Sequence, residues 1–242
     1  MISYQQVTKR YGKSPTPAVN NLSFTVNPGE IVGFLGPNGA GKTTTIKMTV
    51  GLTRPDSGHV LVNDIDVQKN PLAVKQIIGY VPDSPEPFGR LTGREYIRFM
   101  ADVFKVSKEE RERRIPELLA RFDLEDAFND KLSGYSRGMK QKVTIIGSLI
   151  HNPDVWILDE PMVGLDPKSS HTLKETMRQH CDTGKVVLFS THVLEVAERL
   201  CDRVLIINHG QLLASGTIDE LRQQKGGGDS SLESLFLELT AQ

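Results

Sequence analysis

The stretch EIVGFLGPNGAGKTTTIKM, residues 30–48, decides how this chain folds. The run from Ile31 to Leu35 is apolar without alternation, the pattern of a strand buried on both faces of a parallel sheet. Gly36 ends the run, and Gly36, Gly41, Lys42 and Thr43 fit the spacing G-x-x-x-x-G-K-[ST]. Residues 42–51 then read as a helix. Glycines let the backbone wrap closely and aim several N–H groups at phosphate oxygens, and the helix N-terminus adds its positive end. Lys42 brings a full charge for the β- and γ-phosphates, and Thr43 offers a hydroxyl to Mg²⁺. Gly36, Pro37, Asn38, Gly39, Ala40, Gly41, Lys42, Thr43 and Thr44 are therefore read as a nucleoside triphosphate site. The competing reading, a glycine-rich turn before a helix, does not need the lysine.

Outward from this stretch, strands and helices alternate. SYQQVTKRY (3–11), NLSFTV (21–26) and GHVLVND (58–64) read as strands around it, and IIGYV (77–81) as another. From about Leu91 to Ile150 the pattern is helical. Ser107 and Glu110 suggest a capping box, and Ile115, Leu118, Leu119 and Phe122 share one helix face. Pro116 inside that face predicts a kink or a late helix start. Met139, Val143, Ile146 and Ile150 mark a further helix. Strands resume at 154–160, 185–192 and 203–208, separated by helices at 168–180 and 193–200. NHG (208–210) turns into QLLASG, and the tail 226–242 opens on three glycines and closes on the amphipathic SLESLFLEL. This order predicts an α/β fold: a P-loop NTPase core with a mostly parallel central sheet, an N-terminal antiparallel β portion and an inserted α-helical subdomain. The expected division is 1–85 with 151–225 for the core, 86–150 for the insertion and 226–242 for the tail.

The bulk composition bounds the function. Of 242 residues, 29 are basic and 30 acidic, a net charge of −1 that argues against a basic nucleic-acid face. The two cysteines, Cys181 and Cys201, lack CxxC spacing and read as idle thiols of a reducing compartment. The N-terminus has no apolar signal core, and no apolar run approaches the eighteen residues a span needs. A cytosolic chain is expected, with any membrane role supplied by a partner.

Four further stretches carry chemistry. VWILDEP (155–161) is an apolar strand ending on Asp159, placed to hold the Mg²⁺ hydration shell, and on Glu160, placed to act as base or to orient water beside the γ-phosphate. FSTH (189–192) ends a strand on His192. A lone histidine is more often a satisfied core residue, but its place at a ligand-bearing sheet edge favours a site role. LSGYSRGMKQK (132–142) is a Ser-Gly turn opening a basic helix, whose exposed N–H groups and Ser133 make a second anion site. One chain cannot easily aim two helix N-termini at one γ-phosphate from opposite sides, whereas a head-to-tail dimer can. Finally, VPDSPEP (81–87) ends a strand on Asp83 among Pro82, Pro85 and Pro87, a stiff extended exit presenting one carboxylate.

Together these stretches resemble the nucleotide-binding subunit of ATP-binding cassette (ABC) transporters, over essentially the whole chain. The phosphate loop 36–43 matches the family's Walker A, and 155–160 its Walker B. LSGYS (132–136) matches its signature, GLDP (164–167) its D-loop and His192 its switch histidine. Tyr11 falls where the family places an aromatic against adenine. The resemblance implies an ATPase with ATP and Mg²⁺ as cofactors. It implies a second nucleotide-binding subunit, identical or different, with ATP at the interface and Ser133, Gly134, Tyr135 and Ser136 of one copy over the nucleotide of the other. It implies Asp166 at that interface and Glu160 polarising the attacking water. An integral membrane permease would be the second partner, with the chain peripheral on the inner face of the membrane.

The chain departs from the family pattern in two places. The signature has Tyr135 and Ser136 where LSGGQ has glycine and glutamine, a variant resembling cassettes paired with separate export permeases, as does the SLESLFLEL tail. Asp83 stands where most cassettes have glutamine reaching Mg²⁺ and water. A carboxylate there accepts from metal-bound water but lacks the amide donor, so contact with Mg²⁺ only through water or only in the closed state is expected. The alternative function, a soluble cassette ATPase on ribosome or DNA, usually needs two cassettes or a long coiled coil, and this chain has neither. A P-loop kinase or GTPase leaves LSGYS and His192 unexplained.

Overall fold

The computed structural model describes residues 1–85, 88–223 and 232–240. Its centre is β3 (Ile31–Leu35), every residue of which is buried. This strand lies in a six-stranded sheet with β6 (Ile78–Val81), β7 (Val155–Leu158), β8 (Val186–Thr191), β9 (Arg203–Asn208) and β10 (Gln211–Gly216), in the order β10-β9-β3-β8-β7-β6. All pairs are parallel except the β9–β10 hairpin. Leu35 registers with Thr191, and Leu158 with both Phe189 and Val81. The exits of β3, β6, β7 and β8 therefore open on one edge, where an open α/β sheet places its ligands.

Continuous apolar sequence is what a two-faced strand needs. Val32 and Phe34 look toward one layer with Ile157 and Leu188, while Ile31 packs in the other with Trp156, Val187 and Phe189. The first layer holds α1 (Lys42–Thr49) and an antiparallel sheet, order β2-β1-β4-β5, made of β1 (Ile2–Lys9), β2 (Val19–Val26), β4 (Ser57–Val62) and β5 (Ile65–Asp66). Tyr4 and Phe24 stack there with ring centres 4.5 Å apart, and the Tyr4 hydroxyl donates to Thr45 O of α1 at 2.6 Å. The first strand stops at Lys9, short of the expected residue 11. Arg10 N–H donates to the Asp56 carboxylate at 2.7 Å, and Ser14 N–H closes a turn on Tyr11 O. Tyr11 is thus a loop residue.

The second layer holds α3 (Gly93–Val103), α4 (Lys108–Arg121), α5 (Arg137–Leu149) and α6 (Pro167–Asp182). Val143, Ile146 and Ile150 are fully buried, as their spacing predicts. Complete capping boxes lie at Thr92 with Glu95 and at Thr217 with Glu220. At the expected box, Ser107 accepts from Glu110 N–H, but the Glu110 carboxylate turns to Arg113 and Arg114. A charge-assisted bond to a guanidinium outcompetes a backbone N–H. Helix α4 starts at Lys108 and continues through Pro116, so no late start occurs. Burial of Leu118 and Leu119 and the pairs Arg113–Glu117 and Arg121–Glu117 offset the hydrogen bond that proline removes.

Between β5 and β6 lies α2 (Pro71–Ile77), entered through a proline at its first position; the sequence pattern gave no sign of it. On the β9 side, α7 (Leu194–Leu200), α8 (Ile218–Gln223) and α9 (Leu232–Thr240) form a third cluster with Leu35 and Ile206. Residues 226–231 and 241–242 of the expected tail, and Glu86 and Pro87 at the start of the expected insertion, lie outside the described residues. Among the described residues no helix is long and apolar enough to cross a membrane. Cys181 and Cys201 are free thiols, and burial pushes the Cys181 thiol up to about 12.

Candidate nucleotide site

The phosphate loop leaves β3 and enters α1 over residues 36–41. Gly36 and Gly41 are there for space. A Cβ at Gly36 would lie 2.4 Å from Ile207 O, and one at Gly41 would lie 2.5 Å from Ala18 O. Gly41 also takes φ +108°, a conformation that disfavours any side chain. From behind, Gly210 N–H donates to Ala40 O at 2.9 Å, so the β9–β10 turn braces the loop. Lys42 is almost fully buried, and its ammonium donates to Gly36 O at 2.6 Å and Pro37 O at 3.2 Å. Burial lowers its pKa, while Glu160 and Asp159 hold it up.

Asp159 and Glu160 follow β7 directly. Asp159 is 0% exposed, and Ser190 Oγ donates to its Oδ1 at 2.5 Å. Its Oδ2 has no hydrogen-bond partner among the described residues, although the Thr43 hydroxyl faces the carboxylate. Burial raises the pKa of Asp159, the Ser190 and Thr43 hydroxyls work against that, and Asp83 and Glu160 add to it. Glu160 sits at φ +48°, with its N–H donating to Ser190 Oγ at 2.9 Å. This left-handed backbone turns the side chain out of the strand direction. Its Oε2 is 3.0 Å from His192 Nδ1, and its Oε1 is 4.0 Å from Lys42 Nζ. Nothing in FSTH singles out Ser190, yet it ties both carboxylate positions together.

Residues 37–44, Asp83, Asp159 and Glu160 line one concavity. The structure thus brings the loop, both strand-end carboxylates and the exposed Asp83 together, with His192 against Glu160. Hard oxygen donors suit Mg²⁺, which ordinarily takes one or two carboxylates, waters and substrate phosphates. The orphaned Oδ2 of buried Asp159 and the Thr43 hydroxyl beside it fit such an ion. Among the described residues, no group of three or more His, Cys, Asp or Glu could hold a metal alone. Tyr11, 48% exposed, lines an adjoining concavity that shares Ala18 and Gly39 with the first.

The signature stretch stands apart from this concavity. Ser133 and Gly134 are exposed in a short 3-10 turn, Leu132–Gly134, and Ser136 caps α5 by accepting from Met139 N–H at 3.2 Å. Two expectations need correction. The N–H groups of Ser133, Gly134 and Tyr135 are not free, because they donate to Gly89 O, Lys131 O and Leu132 O. Tyr135 does not present its side chain to a ligand. It is buried, with its hydroxyl donating to Ala127 O at 2.6 Å, because an apolar ring finds its place in the helical core. Asp166 caps α6. Hydrogen bonds from the hydroxyl and N–H of Ser169, with Lys142 3.9 Å away, bring its pKa down to about 2. Gln141 Nε2 donates to Pro161 O at 3.0 Å, which ties α5 to the segment after Glu160.

Known proteins are similar to this chain in sequence and fold. The profile of the family described as "ABC transporter" matches residues 19–163. The chain is 39% identical over 240 residues to the ABC-type transporter ATP-binding protein EcsA of Bacillus subtilis (strain 168), covering 99% of this chain and 96% of the relative. It is similar, at a TM-score of 0.94 and 36% identity over 99% of both chains, to a solved ATP-binding subunit of an ABC transporter. A dimeric, post-hydrolysis structure of the ATP-binding cassette MJ0796 bound to ADP and Pi matches at a TM-score of 0.81 and 26% identity, over 90% of this chain and 98% of that one.

Proposed function

The chain belongs to the ABC transporter family, and on that premise we propose that it binds and hydrolyses ATP to drive transport through a separate membrane permease. The observation that carries this reading is the single concavity shared by the phosphate loop, Asp159 with its unpartnered Oδ2, and Glu160. In it, Lys42 and the loop N–H groups neutralise the β- and γ-phosphates. Thr43 and Asp159 would hold Mg²⁺, with Asp83 on the rim of the same concavity, and the ion would supply positive charge against the phosphates. Glu160 takes the proton of the attacking water as the bond from the β,γ-bridging oxygen to the γ-phosphorus breaks, leaving ADP and phosphate. His192 holds the Glu160 carboxylate and meets the γ-phosphate. Tyr11 stacks on adenine.

The working unit in this reading is a head-to-tail dimer, supported by the dimeric cassette to which the chain is similar. Ser133, Gly134 and Ser136 of one copy close over the nucleotide of the other, and Asp166 meets the partner. Residues 1–85 and 151–225 act as the nucleotide core, 86–150 as the moving helical subdomain, and 226–242 as a tail. The chain sits on the cytoplasmic face of the membrane through its permease, and the LSGYS signature favours export. The test is Mg²⁺-dependent ATP hydrolysis by the purified chain, its loss in Lys42→Ala, and co-purification with a polytopic membrane protein. Ribosome or DNA association without such a protein would overturn the transport assignment.

A further inference from the structure

The turn between β9 and β10 is bonded to the phosphate loop on one side and to β2 on the other. Gly210 N–H donates to Ala40 O at 2.9 Å, and Asn20 N–H donates to Gly210 O at 2.8 Å. A Cβ at Gly210 would lie 2.7 Å from Ala18 O, so the turn cannot carry a side chain there. Its neighbour His209 is held at φ +46° by its own N–H, which donates to the Asn208 carboxamide at 3.0 Å. Asn208 in turn donates to Thr240 O at the end of α9. These bonds fix where His209 and Gln211 stand. Both are exposed, and both line the concavity of Tyr11, which runs into the phosphate-loop concavity through Ala18 and Gly39.

We propose that His209 and Gln211 are nucleoside-contacting residues, a polar wall of the pocket in which Tyr11 supplies the aromatic one. The inference rests on the phosphate loop holding a nucleoside triphosphate. A nucleotide whose phosphates lie along residues 37–44 directs its ribose and base past Gly39 and Ala18 into this space. Tyr11 offers a ring face and no selectivity for ribose hydroxyls. The imidazole of His209 and the carboxamide of Gln211 both donate and accept, which suits hydroxyls and the polar edge of a base. Because the turn is bonded to Ala40, nucleoside contact and phosphate contact share one rigid unit.

Binding of ATP and of inorganic tripolyphosphate, each with Mg²⁺, separates the two halves of the pocket. His209→Gly removes the imidazole while accepting the positive φ without strain, and Gln211→Ala removes the carboxamide; thermal melting checks that both variants fold. The double variant is expected to bind ATP about tenfold more weakly, the scale of one or two lost hydrogen bonds. Tripolyphosphate affinity should not change, and in hydrolysis KM should rise with kcat retained. Unchanged ATP affinity would overturn the proposal, as would equal weakening of both ligands, which would make the turn a brace for the loop only. If the unaltered chain bound neither ligand, the phosphate-loop reading itself would fall. Tripolyphosphate binding with unaltered ATP affinity in the variants would remove only the roles of His209 and Gln211.

Discussion

His192 Nδ1 lies 3.0 Å from Glu160 Oε2, while the other oxygen of that carboxylate lies 4.0 Å from the Lys42 ammonium. The glutamate is thus held between an imidazole and a cation before any nucleotide contact is considered. Glu160→Gln removes the proton acceptor and keeps the shape. It is expected to lower kcat by ~10²–10⁴ with ATP binding retained and the ATP-bound dimer stabilised. His192→Ala frees the carboxylate without removing it, and a smaller loss, up to ~10², is expected. Single-turnover hydrolysis with gel filtration in ATP measures both; full turnover by Glu160→Gln removes it as the base.

Asp159 gives the opposite sign for stability and for activity. Its pKa in the folded chain is raised, chiefly by burial. For an acid, a raised folded pKa means that the fold prefers the protonated form. The associated stability is present at low pH and is lost as pH rises through the ordinary carboxylate value toward the folded one. Once ionised, Asp159 therefore weakens the nucleotide-free protein. Asp159→Asn should raise its denaturation midpoint while removing the Mg²⁺ response of hydrolysis. Asp83 is exposed at the concavity rim, so Asp83→Ala should leave stability alone and shift only the Mg²⁺ concentration needed. If neither rate nor Mg²⁺ dependence changes, Asp83 is a hinge residue.

Ser133 is exposed and bonds Gly89 O through its backbone N–H, which a side-chain replacement keeps, so its replacement costs the fold little. Ser133→Ala is expected to leave ATP binding by the monomer intact and to lower dimer-dependent hydrolysis by ~10², the scale of one lost transition-state donor. ATP affinity and turnover, measured across protein concentration, decide this. Equal ATPase activity at every concentration would remove Ser133 from the closing surface.

Two histidines, His180 buried and His151 half-buried, weaken the fold in acid. His151 stacks on Phe104 with ring centres 3.6 Å apart, and His180 meets Trp156 edge-on. Burial lowers both pKa values to about 4. Unfolding lets each ring take a proton near its ordinary value, about 6.5. Stability is therefore complete above that pH and falls continuously as pH drops toward 4, by on the order of 2–3 kcal/mol per ring at the limit. Urea denaturation from pH 7.5 to 4.5 should show this slope. His180→Phe should flatten it, and an unchanged slope in that variant would assign the acid loss elsewhere.

What the sequence determined by itself was local. The phosphate loop is nine consecutive residues, and the glycines, lysine and hydroxyls that define it are read directly from 36–44. The apolar runs of β3, β7 and β8 declare buried parallel strands, because a strand covered on both faces cannot alternate. Side-chain partners across the chain carry no such periodicity. Glu110 leaves its cap for two arginines, Tyr135 turns into the helical core, and Tyr11 falls beyond its strand because Asp56 takes the Arg10 N–H. Ser190 bridges Asp159 and Glu160, and Gly210 braces Ala40, from segments 31 and 170 residues away in sequence. Local pattern names the candidate phosphate-binding groups. Only tertiary packing decides which of them are held, and by what, since that choice is made by competition among hydrogen-bond partners within reach once the sheet has set its register.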